Sequence, residues 1–125
     1  MSGKNKKQFG VWMDSHHATL IGKADMENGN FAVLAHVENE VAEGKPSEKT
    51  TNNAERMMLQ KFFKEITSFM QNAEEIHVTG TGTAQEQFIH YLAETPQFKN
   101  TVANETTSNK MSDERLVEYI SEKFN

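Results

Sequence analysis

The stretch that most constrains the fold is Ile76–Phe88, IHVTGTGTAQEQF, which reads as a short strand, a glycine-marked turn and the start of a helix. Its first four residues favour a strand, and Gly80 and Gly82 mark the turn. From Gln85 onward the apolar residues recur at helical spacing. Backbone N–H groups at such a helix start have no partner inside the helix, so they can bind an anion, a substrate carbonyl or water.

Three strands precede this unit: Phe9–Asp14, Ala18–Lys23 and Phe31–Glu38. The turn Ser15–His17 joins the first two, and Asn28-Gly29, a strong hairpin signal, joins the second to the third. The side chains of a strand alternate between the two faces of a sheet. This alternation places Val11 and Met13 opposite Gly10 and Trp12, and it places Phe31, Val33, Ala35 and Val37 opposite Ala32, Leu34 and His36.

The remaining elements are predicted from apolar spacing and from capping residues. Helices are expected at Ala54–Gln71, capped by Asn52 or Asn53, at Gln85–Glu94, and at Asp113–Phe124, capped by Ser112 with Met111 packing on Leu116. The apolar stripe of the first helix is Met58, Phe62, Ile66 and Phe69, widened by Leu59, Phe63 and Met70. A short fifth strand is expected at Phe98–Ala103, followed by a polar loop at 104–110.

The order β-β-β-α-β-α-β-α predicts an α/β fold with a mixed five-stranded sheet and three helices. Right-handed crossovers would place the fourth and fifth strands parallel to the first, which is the ribonuclease H-like arrangement. We expect one domain at 9–125, preceded by a disordered basic tail at 1–8. The polar segment 39–53 reads as a mobile loop.

Composition limits the function classes. The 125 residues include no cysteine, which suits a reducing cytoplasm, where we expect the protein. No apolar run is long enough to cross a membrane, and the start of the chain has no secretory h-region. A formal charge of −5 argues against a broad nucleic-acid-wrapping face.

The glycine loop, Gly80, Thr81, Gly82, Thr83 and Gln85, is the first candidate site. A dinucleotide fingerprint needs a third glycine where Gln85 stands, and a Walker A loop needs a lysine that this segment lacks. The loop therefore reads either as a ligand or anion loop or as a tight turn in which glycine lets the backbone bend.

Titratable side chains give weaker candidates. Asp14, Glu55 and Asp113 stand where a two-metal nuclease could place carboxylates, but the fourth strand ends in Thr79, where such a site needs an acid. Asp14 is better explained as a turn residue that accepts backbone hydrogen bonds. His77 and His90 bracket the glycine loop and, with Asp14, are alternatives for general acid/base work. His16 and His17 are adjacent and form no metal-binding spacing, no catalytic triad is visible, and no metal or cofactor is expected.

The segment FGVWMDSHHATLIG resembles the opening of the central, ribonuclease H-like domain of eukaryotic and archaeal class 1 release factors and Pelota. The segment ITSFMQNAEEIHVTGTGTAQEQFIHYL is similar to that domain's long helix, strand, loop and next helix, and TVANETTSNKMSDERLVEYI is similar to its closing part. The resemblance covers most of residues 9–124. Thr81 stands where the family has Pro, and Gln85 stands where it often has Lys.

In the release factors, the loop after the third strand carries the Gly-Gly-Gln motif that promotes peptidyl-tRNA hydrolysis. The corresponding segment here, EVAEGKPSEKTTNN, has one glycine and no glutamine. Pelota also lacks the motif and binds ribosomes without hydrolysing the ester. The resemblance therefore implies a bacterial single-domain relative that associates with ribosomes or RNA without catalysis.

Three hypotheses follow. The first is a non-enzymatic protein of translation, acting in hibernation, rescue or stress, that contacts the ribosome, rRNA or tRNA through Lys4, Lys6, Lys7, Lys45 and Lys49. The second is a small-ligand-binding protein or hydrolytic enzyme centred on Gly80–Gln85. The third is a homo-oligomeric interaction module that uses an uncovered strand edge.

Overall fold

The computed structural model describes residues 7–14, 16–25, 30–39 and 51–124, together with their side chains except at 24, 25 and 51–56. Within these ranges, the strands are β1 (Gln8–Met13), β2 (His17–Asp25), β3 (Asn30–Glu38), β4 (Glu75–Gly80) and β5 (Val102–Thr107). The helices are α1 (Thr51–Thr67), α2 (Ala84–Glu94) and α3 (Asp113–Phe124), and a 3₁₀ turn spans Pro96–Phe98.

The strands form one five-stranded mixed sheet in the order β3-β2-β1-β4-β5. The first three strands pair antiparallel, as the two hairpins predict. The β4 strand lies parallel to β1, and β5 lies parallel to β4. The predicted α/β class and topology are therefore confirmed.

The helices cover both faces of the sheet. Helices α1 and α2 pack with Val11 and Met13 in the larger core, and α3 packs with Trp12 in a second core on the opposite face. The predicted alternation along β1 is thus confirmed. Helix α3 lies directly against Gly10, where there is no room for a side chain: a Cβ atom there would be 2.4 Å from Ile120 Cδ1.

The predicted alternation along β3 is wrong, because a β-bulge interrupts it. Leu20 pairs with Ala35, but Ile21, the next residue of β2, pairs with Val33, so Leu34 is the extra residue. Val33 consequently packs against the second core, whereas Val37 lies in the larger one. A bulge of this kind twists an outer strand and makes its edge a poorer template for pairing.

Helix α1 begins and ends earlier than predicted, since it spans Thr51–Thr67 rather than Ala54–Gln71. Asn52 and Asn53, predicted to precede the helix, lie within its bounds. At the other end, the hydroxyl of Ser68 donates to the carbonyl of Glu65 at 2.6 Å, and Asn72 adopts a positive φ of 64°. Because the helix has ended, Phe69 is 41% exposed, while Met70 is buried instead.

The fifth strand is displaced from its predicted position. Phe98 lies in the 3₁₀ turn and is buried in the larger core, so its apolar signal reflects packing and not a strand. The strand runs over Val102–Thr107, which includes residues predicted as polar loop. Its polarity is that of an outer strand, because β5 pairs with β4 alone.

The ends of the predicted domain also differ in part. Gln8, predicted as tail, begins β1 and donates a hydrogen bond to Glu75 at 2.6 Å. Helix α3 matches its prediction, and the Ser112 hydroxyl accepts from the Arg115 N–H at 3.2 Å. Residues 1–6, the Asn28-Gly29 turn and most of the predicted mobile loop, residues 40–50, lie outside the described residues. No helix within the described part of the chain is long and apolar enough to cross a membrane.

Candidate functional site

Two of the candidate sites, Asp14 and the glycine loop, lie at the edge where β1, β4 and β5 end. These strands are parallel, so Met13, Gly80 and Thr107 lie along one edge. Helices α2 and α3 begin in the loops that follow β4 and β5. Open α/β sheets bind ligands at this carboxyl edge, next to the point where the chain reverses its direction across the sheet. In this sheet that point lies between β1 and β4.

The glycine loop is tightly built at its base and open at its tip. A Cβ atom on Gly80 would be 2.0 Å from the carbonyl oxygen of Met13, so only glycine allows β1 and β4 to approach here. At Gly82 a Cβ atom would meet nothing within 4 Å. Thr81 and Thr83 are exposed, and Thr83 precedes α2 without a side-chain cap.

Gln85 lies beneath the loop and does not face solvent. It is 2% exposed, and its Nε2 donates to the carbonyl of Gly80 at 3.3 Å. Its Oε1 has no hydrogen-bond partner in the described part of the chain. The side chain therefore holds the loop to the first turn of α2 and keeps one acceptor unused.

Asp14 is a turn residue, as the sequence interpretation favoured. Its Oδ1 accepts hydrogen bonds from the backbone N–H groups of His16 and His17 at 2.8 and 2.7 Å. The His17 Nδ1 lies 3.7 Å from the same oxygen. These contacts close the turn between β1 and β2.

The structure does not bring His77 and His90 together. His90 is an exposed residue of α2, whereas His77 lies on the face of the sheet that α3 covers. The ring of His77 meets the edge of Tyr119 at 6.0 Å between centroids. Burial, and secondarily the charge of Lys123, lower the pKa of His77 below its ordinary value of 6.5, so the buried imidazole favours its neutral form.

His77 belongs to a hydrogen-bonded chain of hydroxyl groups under α3. Thr106 Oγ1 lies 2.9 Å from His77 Nε2 and 2.8 Å from the Tyr119 hydroxyl, and it donates to Thr79 Oγ1 at 3.0 Å. Thr79 in turn lies 2.7 Å from the Ser108 hydroxyl. Because the one proton of Thr106 is used toward Thr79, the histidine and the tyrosine must both donate to Thr106.

These hydroxyls continue a row of laterally paired residues across all five strands. The strand registers align, from β3 to β5, His36, Thr19, Trp12, Thr79 and Thr106. We call this set the cross-strand row. Trp12 is buried in the second core, yet its indole nitrogen has no hydrogen-bond partner among the described residues.

A cleft lies over the first half of this row, between it and the start of α3. Its volume is about 240 Å³. We call it the α3 cleft; its lining includes Trp12, Thr19, His36, Lys110, Asp113 and Leu116. His36 Nε2 is 3.0 Å from Asp113 Oδ2, which joins β3 to the first turn of α3 across the cleft.

Of the five lysines predicted to contact RNA, only Lys7 is among the described residues. Lys7 is exposed just before β1, at the edge opposite the glycine loop, and its carbonyl accepts from the backbone N–H of Glu74 at 2.8 Å. Lys4, Lys6, Lys45 and Lys49 lie outside the described residues. In the described ranges, no group of three or more His, Cys, Asp or Glu side chains is arranged to hold a metal ion.

The α3 cleft and the hydroxyl chain are sites that the sequence reading missed. The alternation along β1 places Trp12 on the face opposite Val11, and the sequence pattern predicts that β4 ends at Thr79. The missing information was the lateral register, since the pairing of Thr79 with Trp12 and Thr106 needs the strand order. Register of this kind is a tertiary property.

The structure is similar to two Pelota proteins and to an archaeal translation termination factor. It matches Thermoplasma acidophilum Pelota with a TM-score of 0.63 and 15% identity over 97% of this chain and 34% of that one. It matches the archaeal translation termination factor aRF1 with a TM-score of 0.60 and 16% identity over 98% of this chain and 35% of that one. Archaeoglobus fulgidus Pelota gives 0.54 and 16% over 96% and 35%.

The predicted resemblance to Pelota and the release factors is therefore confirmed as a likeness of fold. The chain spans about a third of the length of each of these proteins. No family model matches the sequence, and no curated protein matches it.

Proposed function

We propose that this protein associates with the ribosome or its RNA without catalysing peptidyl-tRNA hydrolysis, in a hibernation, rescue or stress role. The observation that carries the proposal is the release factor-like fold, matched over nearly the whole chain. The segment between β3 and α1 has no Gly-Gly-Gln tripeptide, and this favours binding over hydrolysis.

The charge of the chain limits where RNA would bind. Near the carboxyl edge, the described acidic residues Asp14, Glu38, Glu86, Asp113 and Glu114 outnumber the described cations Lys110 and Arg115, together with Lys61 beside Glu38. Acidic groups at this edge repel phosphates. The lysines assigned to RNA contact are therefore those of the N-terminal segment and of the segment between β3 and α1.

Two lysine variants test this assignment. One replaces Lys4, Lys6 and Lys7 with glutamine, and the other replaces Lys45 and Lys49. Each lysine that contacts a phosphate contributes a slope of about 0.7 to 0.9 to the dependence of log affinity on log salt concentration. We expect ribosome binding to weaken and its salt slope to fall in at least one of these variants.

A matched control replaces Lys64 and Lys99, two exposed lysines outside both sets. It removes the same charge as the Lys45 and Lys49 variant. Because its two lysines are not assigned to RNA contact, binding should stay near that of the native chain. Equal weakening in the control and in both test variants would show a general charge effect and would reject the assigned lysines.

A release assay tests the non-catalytic part of the proposal. Ribosomes that carry a labelled peptidyl-tRNA are incubated with the protein, and with a class 1 release factor as the positive control. We expect binding without release of the labelled peptide. Release above the background without protein would contradict the proposal.

A second candidate is a small-ligand site at the glycine loop. Two observations favour it: Thr83 precedes α2 without a side-chain cap, which leaves backbone N–H groups at the helix start available, and a Cβ atom at Gly82 would meet nothing within 4 Å. The space allows Gly82→Val without a clash inside the fold, so this variant would change the loop tip alone. If inorganic phosphate shifts the backbone amide signals of Thr81–Gln85 equally in the native chain and in Gly82→Val, this candidate is wrong.

A further inference from the structure

The α3 cleft has the dimensions and lining of a site for one flat ring system. Its volume of about 240 Å³ is below the roughly 300–1,000 Å³ typical of sites for drug-sized ligands. Apolar groups of Trp12, Met111 and Leu116 form its inner part. A small hydrated ion would gain little from such a surface, whereas a ring would bury its faces there.

Trp12, which lines the cleft, carries a buried hydrogen-bond donor with no partner among the described residues. Trp12 is 3% exposed, and its indole Nε1–H has no acceptor among the described residues. Buried tryptophan N–H groups usually have a partner, and leaving one unpaired is unfavourable. Trp12 lines the cleft, but its Nε1 has less than 1 Å² of accessible surface, so this N–H would report a ligand through a change in its surroundings and not through a direct hydrogen bond.

The rim supplies imidazole rings and carboxylates. His17 and His36 have side chains that are 53% and 58% exposed, so their rings are open to stacking. The carboxylates of Glu38 and Asp113 can accept hydrogen bonds from amino groups, and together they outnumber the one charge of Lys110. This balance disfavours a simple anion and favours a neutral ring that carries both acceptors and amino donors.

We propose that the α3 cleft binds a single nucleobase, either of a free nucleoside or of an unstacked nucleotide in RNA. The base stacks at the His36 rim, its ring lies against the apolar groups that line the cleft, and its amino group faces the carboxylates. Single bases are commonly recognised by stacking on aromatic side chains and by hydrogen bonds to their edges. The RNA case deepens the proposed function, but the nucleoside case does not depend on ribosome binding.

The single tryptophan of the chain makes a direct test available. With one tryptophan, a ¹⁵N-labelled sample gives one indole N–H signal in a two-dimensional NMR spectrum. Adenosine, guanosine, cytidine and uridine are titrated separately, with ribose as the control for the sugar. We expect at least one nucleoside to shift the indole signal saturably and ribose to leave it unchanged. No shift with any nucleoside or base-bearing oligomer, or an equal shift with ribose, overturns the proposal.

Matched variants separate the cleft from unspecific binding. His36→Ala removes the rim imidazole, and His90→Ala removes an exposed imidazole on the other side of the sheet. Because His36→Ala removes the ring on which the base stacks, it should weaken the affinity by about tenfold, while His90→Ala should not change it. Equal affinities in the two variants would overturn the proposal.

A second variant tests the space itself, and oligomers identify the source of the base. Thr19→Ile adds bulk to the cleft wall on a strand that favours β-branched residues, so it should abolish the indole shift while the fold remains. Short oligoribonucleotides that bind more tightly than the nucleosides indicate an RNA base, and nucleosides that bind more tightly indicate a free ligand. Either result supports the proposal, whereas an unchanged shift in Thr19→Ile contradicts it. Because ribosomes are absent from these titrations, a failure here is distinct from a failure of the proposed function.

Discussion

Gly80→Ala is the substitution whose effect the structure defines most sharply. Met13 and Gly80 are register partners in the parallel pair of β1 and β4. The new methyl group would lie 2.0 Å from the backbone carbonyl oxygen of Met13, where ordinary contact begins at 3.4 Å. The clash partner is backbone, so it cannot be relieved by rotation of a side chain.

The two strands must separate by about 1.4 Å, the difference between those distances. Overpacking of this kind costs about 1–3 kcal/mol, and weakening of adjacent ladder hydrogen bonds adds about 0.5–1.5 kcal/mol for each bond affected. We therefore expect Gly80→Ala to lower the free energy of unfolding by about 3 kcal/mol. For a chain of this length, that corresponds to a fall in Tm of about 10 °C.

The matched control is Gly82→Ala, two residues away in the same loop. Its Cβ atom would meet nothing within 4 Å, so its free energy of unfolding should stay within about 0.5 kcal/mol of the native value. Urea titration followed by circular dichroism and by Trp12 fluorescence measures both variants. Free energies of unfolding that agree within about 0.5 kcal/mol for the two variants would refute the close approach of β1 and β4.

Three further predictions concern stability. Burial and the charge of Lys123 lower the pKa of His77 below 6.5, so the folded state binds fewer protons than the unfolded chain. Stability should therefore fall as the pH drops through 6.5 and level off below the lowered pKa. In urea titrations at several pH values, His77→Gln should reduce this fall. Ser112→Ala removes the cap of α3 and should cost about 1 kcal/mol by the same assay, whereas no measurable change would contradict the capping role. Asn72, at φ 64°, should tolerate Gly but lose about 1 kcal/mol as Ala, and equal Tm values for the two variants would count against the turn.

Local patterns were enough to predict the architecture. The alternation of Val11 and Met13 with Trp12 identified the two faces of β1, and apolar spacing with the Ser112 cap identified α3. Both signals are local, since one depends on the pleat of a strand and the other on the first turn of a helix.

The errors occurred where tertiary contacts override local preference. The bulge at Leu34 shifts the face of β3, although nothing in its own sequence marks it. Phe98 looked like part of a strand because it is apolar, but it is buried from a 3₁₀ turn. The α3 cleft was missed for the same reason, because it depends on residues from β1, β2, β3 and α3 that only the assembled sheet brings together.

The proposed ribosome binding can be measured with the purified protein. The most direct measurement is co-sedimentation of the purified protein with ribosomes over a series of salt concentrations. We expect the protein to pellet with ribosomes at low salt and to be released progressively as the salt concentration rises. Protein that stays in the supernatant at every salt concentration, including the lowest, would contradict the proposed ribosome binding.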